Sequence, residues 1–222
     1  MRLLIVDSNK GAQTLINLIK INLIKTVKNL ELRFAKLNVN NLTKLTKNML
    51  RELTLQLLIN NLKNNYDACI IMCLSASSSI FDILIKNNFV IANVLIIEPI
   101  IPLCLYIKKH KFKTLLVLST SITQKSNLLT NLLNTNTVIK HVSLNLLEND
   151  IQNSVKVYEA LEKLENLKTF IAKCDGLVIG CSSYSLIKNI IMQECKTKYN
   201  FKGALLDSSV ITLKYLNTLK II

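Results

Sequence analysis

Residues 70–80 read IIMCLSASSSI, and residues 179–186 read IGCSSYSL. Twice an apolar run of strand length ends on cysteine, and small polar residues crowd in after it, directly in the second stretch and after Leu74 in the first. A continuous Ile/Val/Leu run suits a strand buried on both faces. Small polar residues just past its end suit the first turn of a helix. A strand that leads straight into a helix is the unit of a parallel sheet, so these two stretches decide the fold class.

The rest of the chain repeats that alternation. Apolar runs at 3–6, 67–73, 93–97, 114–119, 137–142, 175–181 and 203–207 are expected strands, and LELRFAKL at 30–37 alternates as a further one. Amphipathic helices are expected between them at roughly 11–28, 42–64, 77–87, 100–109, 122–134, 150–173, 183–198 and 208–220. Ser77, Thr123 and Ser183 are the expected N-caps, and Pro99 suits a first helical turn. The order is duplicated: Asp67 precedes Cys73 by six residues, and Asp175 precedes Cys181 by six. The end of the opening strand lies 66 residues before the first cysteine (from Asp7) and 62 before the second (from Ser119). The expected fold is α/β, with two similar doubly wound parallel-sheet domains and the active site in the cleft between them. In such sheets functional groups gather beyond the carboxyl ends of the strands.

Bulk properties narrow the function. The 222 residues are 50% hydrophobic, enough for one large or two small cores. The formal net charge is +14, which invites a nucleic-acid partner. The lysines are scattered and only 5% of residues are aromatic, so compositional drift is preferred and nucleic acid is disfavoured. MRLLIVDSNK is too short in its apolar run for a signal peptide, and the longest apolar stretch is broken by Asn93, Glu98, Pro99 and Pro102. The reading is cytoplasmic, with no membrane span and reduced thiols. No metal is expected, since no cysteine pair has zinc-site spacing with a histidine nearby.

Two thiols on opposite walls of a cleft can sandwich a carbon acid. One removes a proton from one face, and the other returns a proton to the opposite face. Placement before helix N-termini is expected to lower their pKa. The Ser-rich turns offer hydroxyl and N–H donors to a carboxylate. Cysteine is also a common small buried hydrophobe, and only the duplicated context sets Cys73 and Cys181 apart from Cys69, Cys104, Cys174 and Cys195. Asp7 and Asp207 each end an apolar run before serine, where either can equally cap a helix.

The chain resembles glutamate racemase, of the aspartate/glutamate racemase superfamily, along nearly its whole length. IVDSNKGAQTLINLI is similar to the family's opening strand and Asp-Ser turn. YDACIIMCLSAS resembles the first catalytic motif, and DGLVIGCSSYSLIKNII the second. VLIIEPIIP, LLVLSTSITQKSNLL, SLNLLEND and LLDSS resemble the family's Ile-Glu-Pro, second-domain opening, Glu-bearing and closing Asp-Ser segments. The resemblance implies cofactor-free interconversion of L- and D-glutamate, the latter for cell-wall peptide. It implies a first domain of residues 1–97 plus 207–222 and an inserted second domain of 98–206. Cys73 and Cys181 would be the acid/base thiols, with Asp7 and Glu148 as nearby carboxylates. Asp7, Ser8, Leu74, Ser75, Ser182 and Ser183 would surround an amino-acid substrate. A homodimer is left open.

The chain departs from the family pattern at single residues and in two segments, the mildest change being Ser75 and Ser182 in place of Thr. Leu74 stands where Asn is usual, and Ser183 replaces the His beside the second thiol. LNVNNLTKLT replaces the Pro-Tyr-Gly segment, and the glycines after Asp7-Ser8 are reduced to Gly11. Two rival expectations follow: a degenerate racemase-fold protein with weak, altered (for instance aspartate) or no activity, and a nucleic-acid binder resting on charge alone.

Overall fold

The computed structural model describes residues 1–8, 13, 16, 17, 19, 20, 30–37, 44–133, 137–146 and 148–219, with only the backbone of Glu148 and Asn149. Gly11, most of the expected helix at 11–28 and residues 38–43 of the replaced segment lie outside the described residues. Two sheets are present. The first has five strands, β1 (Arg2–Asp7), β2 (Glu31–Lys36), β3 (Ala68–Ile71), β4 (Val90–Ile91) and β5 (Val94–Ile97), in the order β2-β1-β3-β5-β4. The second has four, β6 (Thr114–Ser119), β7 (Val138–Ser143), β8 (Gly176–Gly180) and β9 (Ala204–Asp207), in the order β7-β6-β8-β9. All pairings are parallel except β4 with β5. The expected α/β class and paired parallel sheets are therefore met.

Continuous apolar strands are explained by their two covered faces, since successive side chains point to opposite sides. In β1, Leu4 and Val6 pack with Cys69 and Ile71 beneath the helix Lys47–Asn61. Leu3 and Ile5 pack on the other face with Ile70, Met72, Ile97, Leu213 and Leu216. In β6, Leu116 and Leu118 join Leu177 and Ile179 on one face. Leu115 and Val117 join Val178 and Leu206 on the other, where Leu74, Phe81, Ile100, Leu103 and Ile211 meet them. That last cluster fuses the two sheet units. The C-terminal helix Ser208–Thr218 serves both, through Ile211 on one side and Leu213 and Leu216 on the other.

The repeated aspartates are strand staples. Asp67 accepts the Arg2 N–H at 2.6 Å, and Asp175 accepts those of Lys113 and Thr114 at 2.7 and 3.0 Å. Each pins the foot of the neighbouring central strand. The carboxyl ends of β5 and β9 are matched too. Glu98 accepts the N–H groups of Ile100 and Ile101 at 2.6 and 2.8 Å, and Asp207 accepts that of Ser209 at 3.0 Å.

Several helix boundaries differ from expectation. The helix expected from 77 begins at Leu74, with Cys73 and not Ser77 as its cap. The helix expected at 122–134 is two, Ser121–Ser126 and Leu128–Leu133, parted by left-handed Asn127 (φ 51°) and capped by Thr120 instead of Thr123. The long helix at 150–173 is broken into Glu148–Ile151, Ser154–Leu161, a tight 3-10 stretch and Lys168–Ile171, because the Asn153 side chain accepts the N–H groups of Val155 and Lys156 and starts a new helix. After Cys181 comes a 3-10 turn, Ser182–Leu186, before the helix Lys188–Tyr199, so Ser183 is no helix cap.

Candidate active site

Both cysteines sit one step beyond a central strand. Backbone N–H groups two and three residues ahead favour each thiolate: Ser75 and Ala76 for Cys73, Ser183 and Tyr184 for Cys181. The Ala76 N–H reaches Cys73 Sγ at 3.5 Å. This accounts for Ser75 and Ala76 after Cys73 and for Ser182 and Ser183 after Cys181. A tight turn has to bring backbone donors beneath a sulfur, and small side chains let it close.

The two turns meet. The Ser182 hydroxyl, next to Cys181, donates to Asp7 Oδ1 at 3.1 Å across 175 residues of chain. The Ser8 hydroxyl approaches Cys73 Sγ at 3.4 Å, and its N–H donates to Asp7 Oδ1 at 2.7 Å. Cys73 is close enough for its charge to bear on Cys181, and the Asp7 carboxylate acts on both. Asp7 is fully buried at the end of β1.

The expectation of lowered thiol pKa values is overturned. Burial pushes Cys73 up to about 11, helped by the Asp7 carboxylate, while the Ser8 hydroxyl and the N–H groups of Ala76 and Ser75 pull the other way. Burial, then Cys73 and Asp7, push Cys181 up to about 12 against the N–H groups of Ser183 and Tyr184. Loss of water from around a thiolate outweighs two backbone dipoles, and the turn after Cys181 is too short to act as a helix end.

The other expected positions are distributed around this pair. Ser75 is buried and hydrogen-bonded to Thr120 at 2.6 Å and Thr123 at 3.1 Å. Ser183 is buried in the Cys181 turn. Leu74 points into the apolar cluster of Phe81, Ile100 and Val117, so its side chain is a packing group. Glu148 opens the short helix Glu148–Ile151, which lies against the Cys181 turn. The sequence suggests Thr123 only as a helix cap and does not single out Thr120 as a site residue. The duplication held the signal, since Ser119-Thr120 ends β6 as Asp7-Ser8 ends β1. Among the described residues no group of three or more His, Cys, Asp and Glu could hold a metal ion. No helix among them is long and apolar enough to cross a membrane.

No family model matches the chain. It is 28% identical over 180 residues to a glutamate racemase from Fusobacterium nucleatum, spanning 78% of this chain and 67% of that protein. A glutamate racemase isoform from Bacillus anthracis superposes with a TM-score of 0.81 at 18% identity, covering 98% of this chain and 80% of the other. A glutamate racemase from Francisella tularensis, solved in complex with D-glutamate, gives 0.78 at 17% identity over 99% and 81%. The chain has the fold shared by glutamate and aspartate racemases. Within it, the similar proteins named above are glutamate racemases.

Proposed function

We propose that the chain is a cofactor-independent amino-acid racemase whose substrate is glutamate. The observation that carries this reading is the Ser182–Asp7 bond, which holds two thiol-bearing turns from different sheets against one carboxylate. One sulfur, as thiolate, takes the Cα proton. The C–H bond breaks, an S–H bond forms, and the electron pair remains on the substrate. The opposite thiol then gives its proton to the other face and becomes the thiolate. With the thiols at about 11 and about 12, the empty site keeps both protonated at neutral pH. A substrate ammonium set beside Asp7 cancels the charge that opposes thiolate formation, and the proton that one thiol gives up as substrate enters passes to solvent. The hydroxyls of Ser75, Thr120 and Thr123 face one another from the two units and can turn toward a substrate carboxylate. In this reading the product is D-glutamate for cell-wall peptide, made in the cytoplasm, and Glu148 stands by to assist Cys181.

A second reading, a slow, aspartate-preferring or inactive member, is favoured by Leu74, which is turned into the core, and by Ser183, which replaces an imidazole. One measurement separates the two: deuterium incorporation from solvent at Cα of L- and D-glutamate, then of aspartate, with circular dichroism following inversion. Exchange and inversion of glutamate from either hand support the first reading. Exchange confined to aspartate, or to neither, transfers the protein to the second.

A further inference from the structure

The turn that carries Cys181 is suspended between two carboxylates. At its start Ser182 is tied to Asp7 at 3.1 Å. Near its end the buried Ser185 hydroxyl donates to Asp207 Oδ1 at 2.9 Å, with the Ser209 hydroxyl 3.4 Å away. Asp207 is itself immobilised. Its Oδ1 accepts the Ser209 N–H at 3.0 Å, and its Oδ2 takes the Lys188 ammonium at 2.8 Å. The carboxylate is 6% exposed, so its bonds are shielded from water. Asp207 also begins the helix Ser208–Thr218, whose Leu213 and Leu216 are embedded in the core of the first sheet. The start of the turn thus leads to Asp7 of the first sheet, and its end to Asp207, which closes β9 of the second sheet and begins the helix that packs on the first.

We infer that Asp207 is a positioning residue, which acts through Ser185 and with Lys188 as its brace to hold the Cys181 sulfur against Cys73. The helix-capping role of Asp207 needs only the Ser209 bond. It does not explain why a buried carboxylate also collects a hydroxyl from the cysteine turn and an ammonium from the next helix. The inference deepens the proposed two-thiol chemistry and rests on it for its purpose, while its geometric content can be tested without turnover.

The test uses the full chain and dibromobimane, which becomes strongly fluorescent when it bridges two neighbouring thiols, with peptide mapping to identify the bridged pair. Wild type is compared with Ser185→Ala and with Lys188→Gln, the latter a milder change at a partly exposed side chain. Formation of the Cys73–Cys181 bridge is expected to slow about 10-fold or more in Ser185→Ala and less in Lys188→Gln. Where glutamate is turned over, kcat should fall by about 10- to 100-fold with KM within about 3-fold, as for a displaced but intact reacting group. A wild type that forms no such bridge overturns the inference, and so do both variants bridging at the wild-type rate. A wild type that bridges normally, with slowed variants but no deuterium exchange, removes the racemase reading and leaves the positioning role standing.

Discussion

Cys73 and Cys181 each balance burial and a neighbouring negative charge against backbone and hydroxyl donors, and burial prevails. The reactivity of the free protein should follow. Iodoacetamide labelling of Cys73, read by mass mapping, should climb about tenfold per pH unit above neutrality and level off only near pH 11, with Cys181 following later. A plateau by pH 8.5 would contradict this order. Under the proposed two-thiol chemistry, Cys73→Ala and Cys181→Ala should each lower racemisation by about 10²–10⁴-fold, measured by loss of inversion from both enantiomers. Leu74 is a different lesson. Its position in the motif is plain from sequence, but the direction of its side chain is not, because that depends on Phe81 and Ile100 from elsewhere in the chain. Leu74→Asn should therefore cost at least about 1–3 kcal/mol in urea unfolding, from an amide buried among apolar groups. An unchanged midpoint would mean that the residue faces the site. The spacing Asp-x5-Cys was legible, whereas Thr120 and Thr123 as site residues were hidden by the lack of any side chain more distinctive than a hydroxyl.

At the scale of elements, all eight expected strands are present, since apolar runs bounded by polar residues survive almost any tertiary context. Helix ends were less legible, because they depend on single caps. The thiol of Cys73 fills a role usually taken by Ser, Thr, Asp or Asn, and a lone Asn127 in left-handed geometry cuts one helix in two. The short strand β4 escaped notice because its hairpin turn uses Ala92 and Asn93, both at positive φ (50° and 60°), in place of the usual glycine-containing pair. Gly203 marks another contact that no pattern announces. A Cβ there would lie 2.4 Å from the Asp175 carbonyl oxygen, and the backbone on both sides is held by pairing of β9 with β8. Gly203→Ala should lower stability by about 1–3 kcal/mol or more, seen as a lower urea midpoint. Stability equal to wild type would show that β9 can shift away from β8 without loss.

For the molecule as a whole, pH enters through Glu98, buried where the first unit hands over to the helix Ile100–Lys109. Burial raises its carboxyl to about 7 in spite of the N–H groups of Ile101 and Ile100. The folded state then binds a proton more tightly than the unfolded chain. The stability this contributes is full below about pH 4.5, the ordinary glutamate range, and is lost as pH rises through about 7. Glu98→Gln should flatten the fall in unfolding free energy between those limits, read from urea titrations at several pH values. A slope as steep as wild type would assign it to other groups. The Ser182–Asp7 bond carries a consequence for the order of folding. Apart from the C-terminal helix, strand and helix neighbours within either unit close over shorter loops, whereas this bond joins residues 175 apart in sequence. Its loop is among the costliest to close and should form last. During refolding each cysteine would disappear from solvent early, as its own strand and turn consolidate. The ability of one thiol to sense the other would arrive later, as a stopwatch for the moment when the two halves dock.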